Sequence, residues 1–287
     1  MSSVLRLLRP HQYIKNLFIF LPLFFALKVT QADLLLSALW AFIAFSLTAS
    51  AVYVFNDYLD IEDDRQHPKK CTRPLASGEV SKTEAKGLMA GLILIGMGLM
   101  AWIDMSALYV LAFYVVLNLA YTLRLKHVAV LDVAIIALGF VLRLFVGSFV
   151  TGVPLSMWIV VMTFLLALFL ALAKRRDDVL IYLETGQKMR KVIDGYNLKF
   201  LDSAMVMMAS VVIVAYTLYT ISADVTSRLH SEYLYLTVLF VILGIMRYMQ
   251  IAFVEEDSGS PTRVMLKDRF LLVVVVGWLA TFFWIIY

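Results

Sequence analysis

The stretch Ala51-Val52-Tyr53-Val54-Phe55-Asn56-Asp57-Tyr58-Leu59-Asp60-Ile61-Glu62-Asp63-Asp64 joins the end of an apolar run, 33–55, to five carboxylates within eight residues. Such a run can cross a hydrocarbon core of about 30 Å, which takes roughly 20 apolar residues as an α-helix. If the helix continues through the acids, Asn56, Asp60 and Asp64 recur every fourth residue and Asp57 falls three before Asp60, so the four share one face. Like charges stacked this way repel. A hard divalent cation shared with a diphosphate relieves the repulsion, because Mg²⁺ takes one or two carboxylates together with phosphate oxygens. The competing reading is a solvated acidic helix end, which needs no particular residue order.

Outward from this segment, apolar runs recur at 17–29, 87–103, 106–122, 128–150, 154–173, 203–223, 233–254 and 270–286. With 33–55 they predict nine membrane helices and an all-α polytopic protein. The runs are continuous rather than alternating, which argues against strands in a bilayer. The whole chain agrees: 287 residues, 62% hydrophobic, 16% charged, mean hydropathy +0.86, against about 45–50% apolar and about 25% charged for soluble domains. A soluble enzyme is excluded, and no length remains for a separate soluble domain. Pro10 and Lys15 interrupt the N-terminal stretch, so no cleavable signal is expected. Gly87 and Gly91, followed by Gly96 and Gly98, are expected to serve close helix packing.

The charges are one-sided. With the N-terminus and every second loop on one face, that face holds 22 of the 25 Lys and Arg residues, leaving Lys28 and Arg228 opposite and Arg143 within a span. Cations near short loops stay cytoplasmic, which predicts an N-terminus inside, a C-terminus outside and anionic chemistry at the inner face. No nucleic-acid module accompanies these cations, so nucleic acid is not an expected partner. A single cysteine, Cys71, excludes an internal disulfide, and the four histidines have no metal-ligand spacing. A metal here must therefore be a hard ion on carboxylates.

Immediately after the acids come Arg65, His67, Lys69, Lys70 and Arg73, broken by Pro68, Pro74 and Gly78. Arg suits bidentate phosphate contact and Lys point neutralisation; the alternative is the inner-face cation bias alone. A second polar segment, Lys174-Arg175-Arg176-Asp177-Asp178, follows the sixth run and continues through Glu184, Lys188, Arg190, Lys191 and Asp194. Acids add nothing to a cationic anchor, so the preferred reading is a second half-site, with Lys174 and Asp178 on one helix face. Arg143 inside a span is costly; pairing with another helix and phosphate binding compete for it, and Asp132 is too far along the same helix to be its partner. Lys15 and Asn16 are candidates for a lipid phosphate, and Tyr121, Arg124 and Lys126 form a smaller polar cluster. The last inner loop, from Glu255 to Arg269, carries both signs and reads as a lid or a solvated connection.

Taken together, the Asn56-Asp57-x-x-Asp60-x-x-x-Asp64 motif, the inner loops after the second and sixth runs and the nine spans resemble the UbiA superfamily of intramembrane prenyltransferases over the whole chain. The second segment lacks the DxxxD spacing usual in prenyl-transferring members. With Arg9-Pro10-His11-Gln12-Tyr13-Ile14-Lys15-Asn16, His67-Pro68-Lys69-Lys70, Arg73-Pro74, Tyr121-Thr122-Leu123-Arg124-Leu125-Lys126 and Leu131-Asp132-Val133, it resembles instead the decaprenyl-phosphate phosphoribosyltransferase branch. Asp178 stands where that branch commonly has Glu.

The resemblance implies nine helices around a central cavity and a single catalytic domain over 1–287, with cytoplasmic active-site loops at about 57–86 and 174–202. It implies transfer of phosphoribose from 5-phosphoribosyl 1-diphosphate to a polyprenyl phosphate. Mg²⁺, or Mn²⁺ in its place, would sit on Asp57, Asp60 and Asp64 as the catalytic and metal group. Substrate contacts would come from Lys15, Asn16, Asn56, Arg65, His67, Lys69, Lys70, Arg73, Tyr121, Arg124, Lys126, Arg143, Lys174, Arg175, Arg176 and Asp178. A homo-oligomer is compatible with this reading. Prenyl transfer to an aromatic or other small acceptor is the alternative activity. Transport of an anionic lipid or metabolite is a remoter one, since transport sites usually lie at the midplane on broken helices.

Overall fold

The computed structural model describes residues 3–66, 70–186 and 191–286, and these residues are helical without a strand. The elements are α1 (Ser3–Leu8), a 3₁₀ segment (Pro10–Phe20), α2 (Leu21–Phe25), α3 (Ala32–Leu59), α4 (Ile61–Gln66), α5 (Lys82–Ile103), α6 (Met105–Leu123), α7 (Leu131–Thr151), α8 (Met157–Thr185), α9 (Leu198–Ile221), α10 (Ala223–Leu229), α11 (Val238–Gln250), α12 (Pro261–Lys267) and α13 (Arg269–Ile286). Short 3₁₀ turns and one π segment (Ile251–Glu255) complete the chain. Among the described residues eight helices are long and apolar enough to cross a membrane. The eight runs from 33 onward therefore become membrane-length helices. The run at 17–29 does not: Pro10 opens a 3₁₀ segment, Pro22 sits in the first turn of α2, and the chain leaves helix at Leu27, whose φ is +58°.

Contacts divide the chain into two compact units, Met1–Leu125 with Leu138–Leu155, and Lys126–Ala137 with Ser156–Tyr287. In the first unit α3 is apolar on every side and forms the centre, as such helices do. Its small residues Ala41, Ala44 and Ala49 let α5 and α6 approach, with Met100, Leu111 and Tyr114 filling the remaining space. Gly96 makes the α5 contact, since a Cβ there would lie 2.8 Å from the Ala44 carbonyl oxygen. Gly87, Gly91 and Gly98, expected to pack as well, have nothing within 4 Å of a Cβ; α5 instead turns Leu94 and Ile95 outward, toward lipid.

In the second unit α8 packs on α9 through Phe169, Leu172, Ala173 and Val179 against Leu201, Met205, Ala209 and Val212. Start signals are local and legible. Ser81 and Glu84 form a reciprocal capping box on α5, and Asp104 and Asn197 accept from the first-turn amides of α6 and α9. With 28 and 29 residues, α3 and α8 rise by roughly 42 Å each at 1.5 Å per residue. Both outrun the apolar core, and each carries its charged motif on the excess turns.

Candidate active site

In the first unit α3 ends at Leu59, Asp60 is the junction residue, and α4 restarts at Ile61. The amide of Asp60 still donates to Asn56 O and that of Asp64 to Asp60 O, so the path stays nearly helical and Asp57 and Asp64 remain on one side. Both carboxylates are buried. They converge on one atom: Arg73 Nη1 lies 3.0 Å from Asp57 Oδ1 and 2.7 Å from Asp64 Oδ2. Arg9, in the left-handed region at φ +53°, donates from Nη2 to the same Asp57 oxygen at 2.5 Å and rests over the Tyr53 ring. Arg65 steadies the following loop by donating to Ala76 O at 3.2 Å and pairs with Glu62. Ser3 and Arg6 hydrogen-bond Glu79 and hold its carboxyl below the usual range.

Two buried carboxylates within about 3 Å of one cationic nitrogen form a donor set that suits a hard divalent ion. Among the described residues no group of three or more acidic, His or Cys side chains makes a closed cage. An ion on Asp57 and Asp64 would take its other ligands from phosphate and water.

Deeper in the same unit a polar seam follows the 3₁₀ segment. Tyr13 pairs with Ser50 at 2.8 Å, and Asn16 donates to Ser46 at 2.8 Å. Arg143 donates from Nε to Asn16 Oδ1 at 2.8 Å and from Nη1 to Gly139 O at 2.5 Å, and its guanidinium lies against the rings of Phe45, Tyr114 and Phe140. Pairing with another element, one of the two alternatives for Arg143, is what this geometry shows. A delocalised cation on aromatic faces is the form of buried charge that tolerates neutral acceptors best.

In the second unit the charges at the end of α8 turn inward. Arg175 is 1% exposed, donates from Nε to Asp132 Oδ2 at 2.6 Å and pairs through Nη1 with Asp178. Tyr196 donates to the other Asp132 oxygen at 2.5 Å and accepts from the Val130 amide at 2.7 Å. Burial and this donation to a carboxylate push the Tyr196 phenol upward from its ordinary value. Arg176 donates to Asp202 at 2.7 Å and to the Ala252 carbonyl, in the π segment, at 2.6 Å. The last loop rests on α8: Ser258 donates to Ala173 O, and the Gly259 amide to Asp177. Part of that loop is therefore a packed strap rather than a solvated connection.

Of the expected site residues, the structure brings together Asp57, Asp64 and Arg73, and separately Asn16 and Arg143, in one unit, and Arg175 with Asp178 in the other. Arg175 and Arg176, expected to reach for phosphate, are instead engaged by protein carboxylates and carbonyls. The reason is electrostatic: a desolvated guanidinium with acceptors in reach keeps them. Asp178 accordingly pairs with Arg175. Lys174, Lys15, Lys70, Asn56, Asp60, Tyr121 and Lys126 are partly buried and Arg124 is exposed. His67 and Lys69, with Lys188 and Arg190 of the second loop, lie outside the described residues. Sequence reading passed over Arg9 as a ligand of Asp57, and Tyr196, whose partner Asp132 lies 64 residues away; a separation that long leaves no local pattern.

Comparison with known proteins gives three findings. The UbiA prenyltransferase family profile matches residues 16–275. The chain is 31% identical to the decaprenyl-phosphate phosphoribosyltransferase of Mycolicibacterium smegmatis over 98% of this chain and 91% of that one, and 31% identical to the protein of the same name from Corynebacterium glutamicum over 96% and 84%. In fold it is similar to a UbiA homolog from Archaeoglobus fulgidus solved bound to DMAPP and Mg²⁺, with a TM-score of 0.73 at 18% identity, covering 100% of this chain and 99% of that one.

Proposed function

Since this chain belongs to the UbiA prenyltransferase family and is thereby an integral membrane transferase, we propose that it moves phosphoribose from 5-phosphoribosyl 1-diphosphate to a polyprenyl phosphate. The observation that carries this reading is the near full-length similarity to two enzymes named for that transfer. The chemistry of the residues supports it. An acceptor phosphate oxygen bonds to the ribose C1 while the C1–O bond to diphosphate breaks, so the electron pair leaves with the diphosphate. The acceptor is already an anion and needs no strong base, and catalysis falls to positioning and electrostatics.

In the first unit, Asp57 and Asp64 would hold the divalent ion, with Asp60 at the junction between their helices. Mg²⁺ bound there would supply neutralisation of the departing diphosphate. Arg9 keeps Asp57 aimed at the point it shares with Asp64, the point Arg73 takes when no ion is bound, and Lys70 and Arg65 add positive charge to the loop beside them. Lys15 and Arg124 are the candidates for the acceptor phosphate. In the second unit, Asp178 accepts from ribose hydroxyls, and Lys174 answers the donor's remote 5-phosphate. The inner-face bias of cations supports a cytoplasmic site.

Purified protein with Mg²⁺ should convert phosphoribosyl diphosphate and a polyprenyl phosphate into a phosphoribosyl lipid plus diphosphate, stop on chelation and resume on Mg²⁺ addition. Turnover confined to a prenyl diphosphate with an aromatic acceptor would hand the function to prenyl transfer. Release of no diphosphate from any donor would favour transport.

A further inference from the structure

Val130 is a β-branched residue at φ +70°, a conformation that is a genuine outlier for that side chain and that persists only where the surroundings over-determine it. Its side chain is 53% exposed, so packing does not hold it. What holds the turn is its amide, which donates to Tyr196 OH, and the residue two places on, Asp132, which accepts from the same hydroxyl. Tyr196 is itself fixed from its own side. Val192 and Ile193 are buried in the 3₁₀ turn that presents it, and Gly195 lies so close that a Cβ there would come within 2.6 Å of Ala129 Cβ. Asp132 then takes Arg175, and Arg175 takes Asp178.

We propose that Tyr196 is a positioning residue: its hydroxyl clamps the strained Val130 turn onto Asp132, and through Arg175 this sets the direction of the Asp178 carboxylate toward the donor's ribose hydroxyls. The inference rests on the phosphoribosyl reading for the donor half and on geometry alone for the clamp. The buried Asp132–Arg175 pair links the Tyr196 hydroxyl to Asp178. A phenol sharing itself between a strained amide and that pair removes the freedom such a chain would otherwise have.

The test has two arms in purified, detergent-solubilised protein. In the first, Tyr196→Phe keeps the ring and removes only the hydroxyl. The KM for phosphoribosyl diphosphate should rise about five- to tenfold, the approximate net worth of one ordinary hydrogen bond, while the KM for polyprenyl phosphate stays within twofold. Adding Tyr196→Phe to Asp178→Asn should cost less than twofold more, and Val130→Gly in the Tyr196→Phe background should recover most of the donor KM, because glycine holds a positive φ without a clamp. In the second arm, hydrogen–deuterium exchange over residues 126–134 should be at least tenfold faster in Tyr196→Phe, with the rest of α7 unchanged. Fully additive losses with Asp178→Asn, no rescue by Val130→Gly, or equal rises in both KM values would overturn the positioning role. Unchanged exchange would overturn the clamp. A wild-type enzyme that leaves phosphoribosyl diphosphate unconsumed would overturn the donor half, and the exchange arm would then decide the clamp by itself.

Discussion

Arg73 places a single nitrogen between Asp57 and Asp64, whose side chains are 2% and 4% exposed, and so stands where a divalent ion would. Breaking a buried pair costs about 3–5 kcal/mol because the charge left behind is uncompensated. The cost here is at the lower end, since Arg73 is 27% exposed and Arg9 stays on Asp57. Arg73→Gln should therefore lower the melting temperature in chelator, and Mg²⁺ without any donor should restore it, because a ligand of the folded state at a hundred times its Kd adds about 2.7 kcal/mol. The wild type, with its carboxylates already answered, should respond to Mg²⁺ far less. A variant whose melting temperature ignores Mg²⁺ would remove these two acids from the metal. The acids were legible in the sequence because spacing along one helix is local information. That Arg9 and Arg73 close on them was not, since the chain from residue 9 to residue 57 returns through a 3₁₀ segment and a full helix before the contact forms.

Among the elements, the 3₁₀ segment departs furthest from expectation, and α7 explains how it is held. A Cβ on Gly147 would fall inside the Ile19 carbonyl oxygen, so the two backbones touch, and from this contact Asn16 reaches Arg143 one turn away. Gly147→Ala should push the segment off α7 and loosen the Arg143 seam, a cost of about 1–3 kcal/mol for overpacking. Gly87→Ala and Gly91→Ala, in open space on α5, should be neutral or stabilising by about 0.5–1 kcal/mol. Thermal unfolding of the three variants in one detergent checks both signs, and equal behaviour would refute the contact. Hydropathy located eight long helices because composition over a 20-residue window registers burial in lipid or core. It could not see that the first apolar run, 17–29, is divided between the end of a 3₁₀ segment and the short α2, since hydrogen-bond register leaves no trace in composition; the continuation of α3 and α8 past their apolar runs was readable from the spacing of their charged residues. The small-residue spacing at Gly87 and Gly91 misled for a related reason: it marks where close packing is sterically allowed, and only Gly96 has a helix opposite it.

At the scale of the molecule, that first segment decides which side of the membrane each loop faces. Eight membrane-length helices would return the C-terminus to the side of α3's start, whereas the charge pattern was read with nine crossings. The geometry reconciles the two. A 3₁₀ helix rises about 2 Å per residue, so Pro10–Phe20 rises by roughly 22 Å, and the five residues of α2 bring the total near 30 Å, the thickness of the hydrocarbon core. Sixteen residues then do what about twenty do as α-helix, and Lys28 lies beyond the far end as one of only two loop cations opposite the other 22. We expect the first segment to cross. In a Cys71→Ser background, Val4→Cys should resist an impermeant thiol reagent in intact cells and react only after permeabilisation. Gln31→Cys and Trp284→Cys, both exposed, should react from outside. Labelling of Val4→Cys and Gln31→Cys from the same side would make the segment re-entrant. It would also move the N-terminus, with Arg6, Arg9 and Lys15, to the side opposite the acidic motif, while the other 19 of those 22 cations stay on the motif's side.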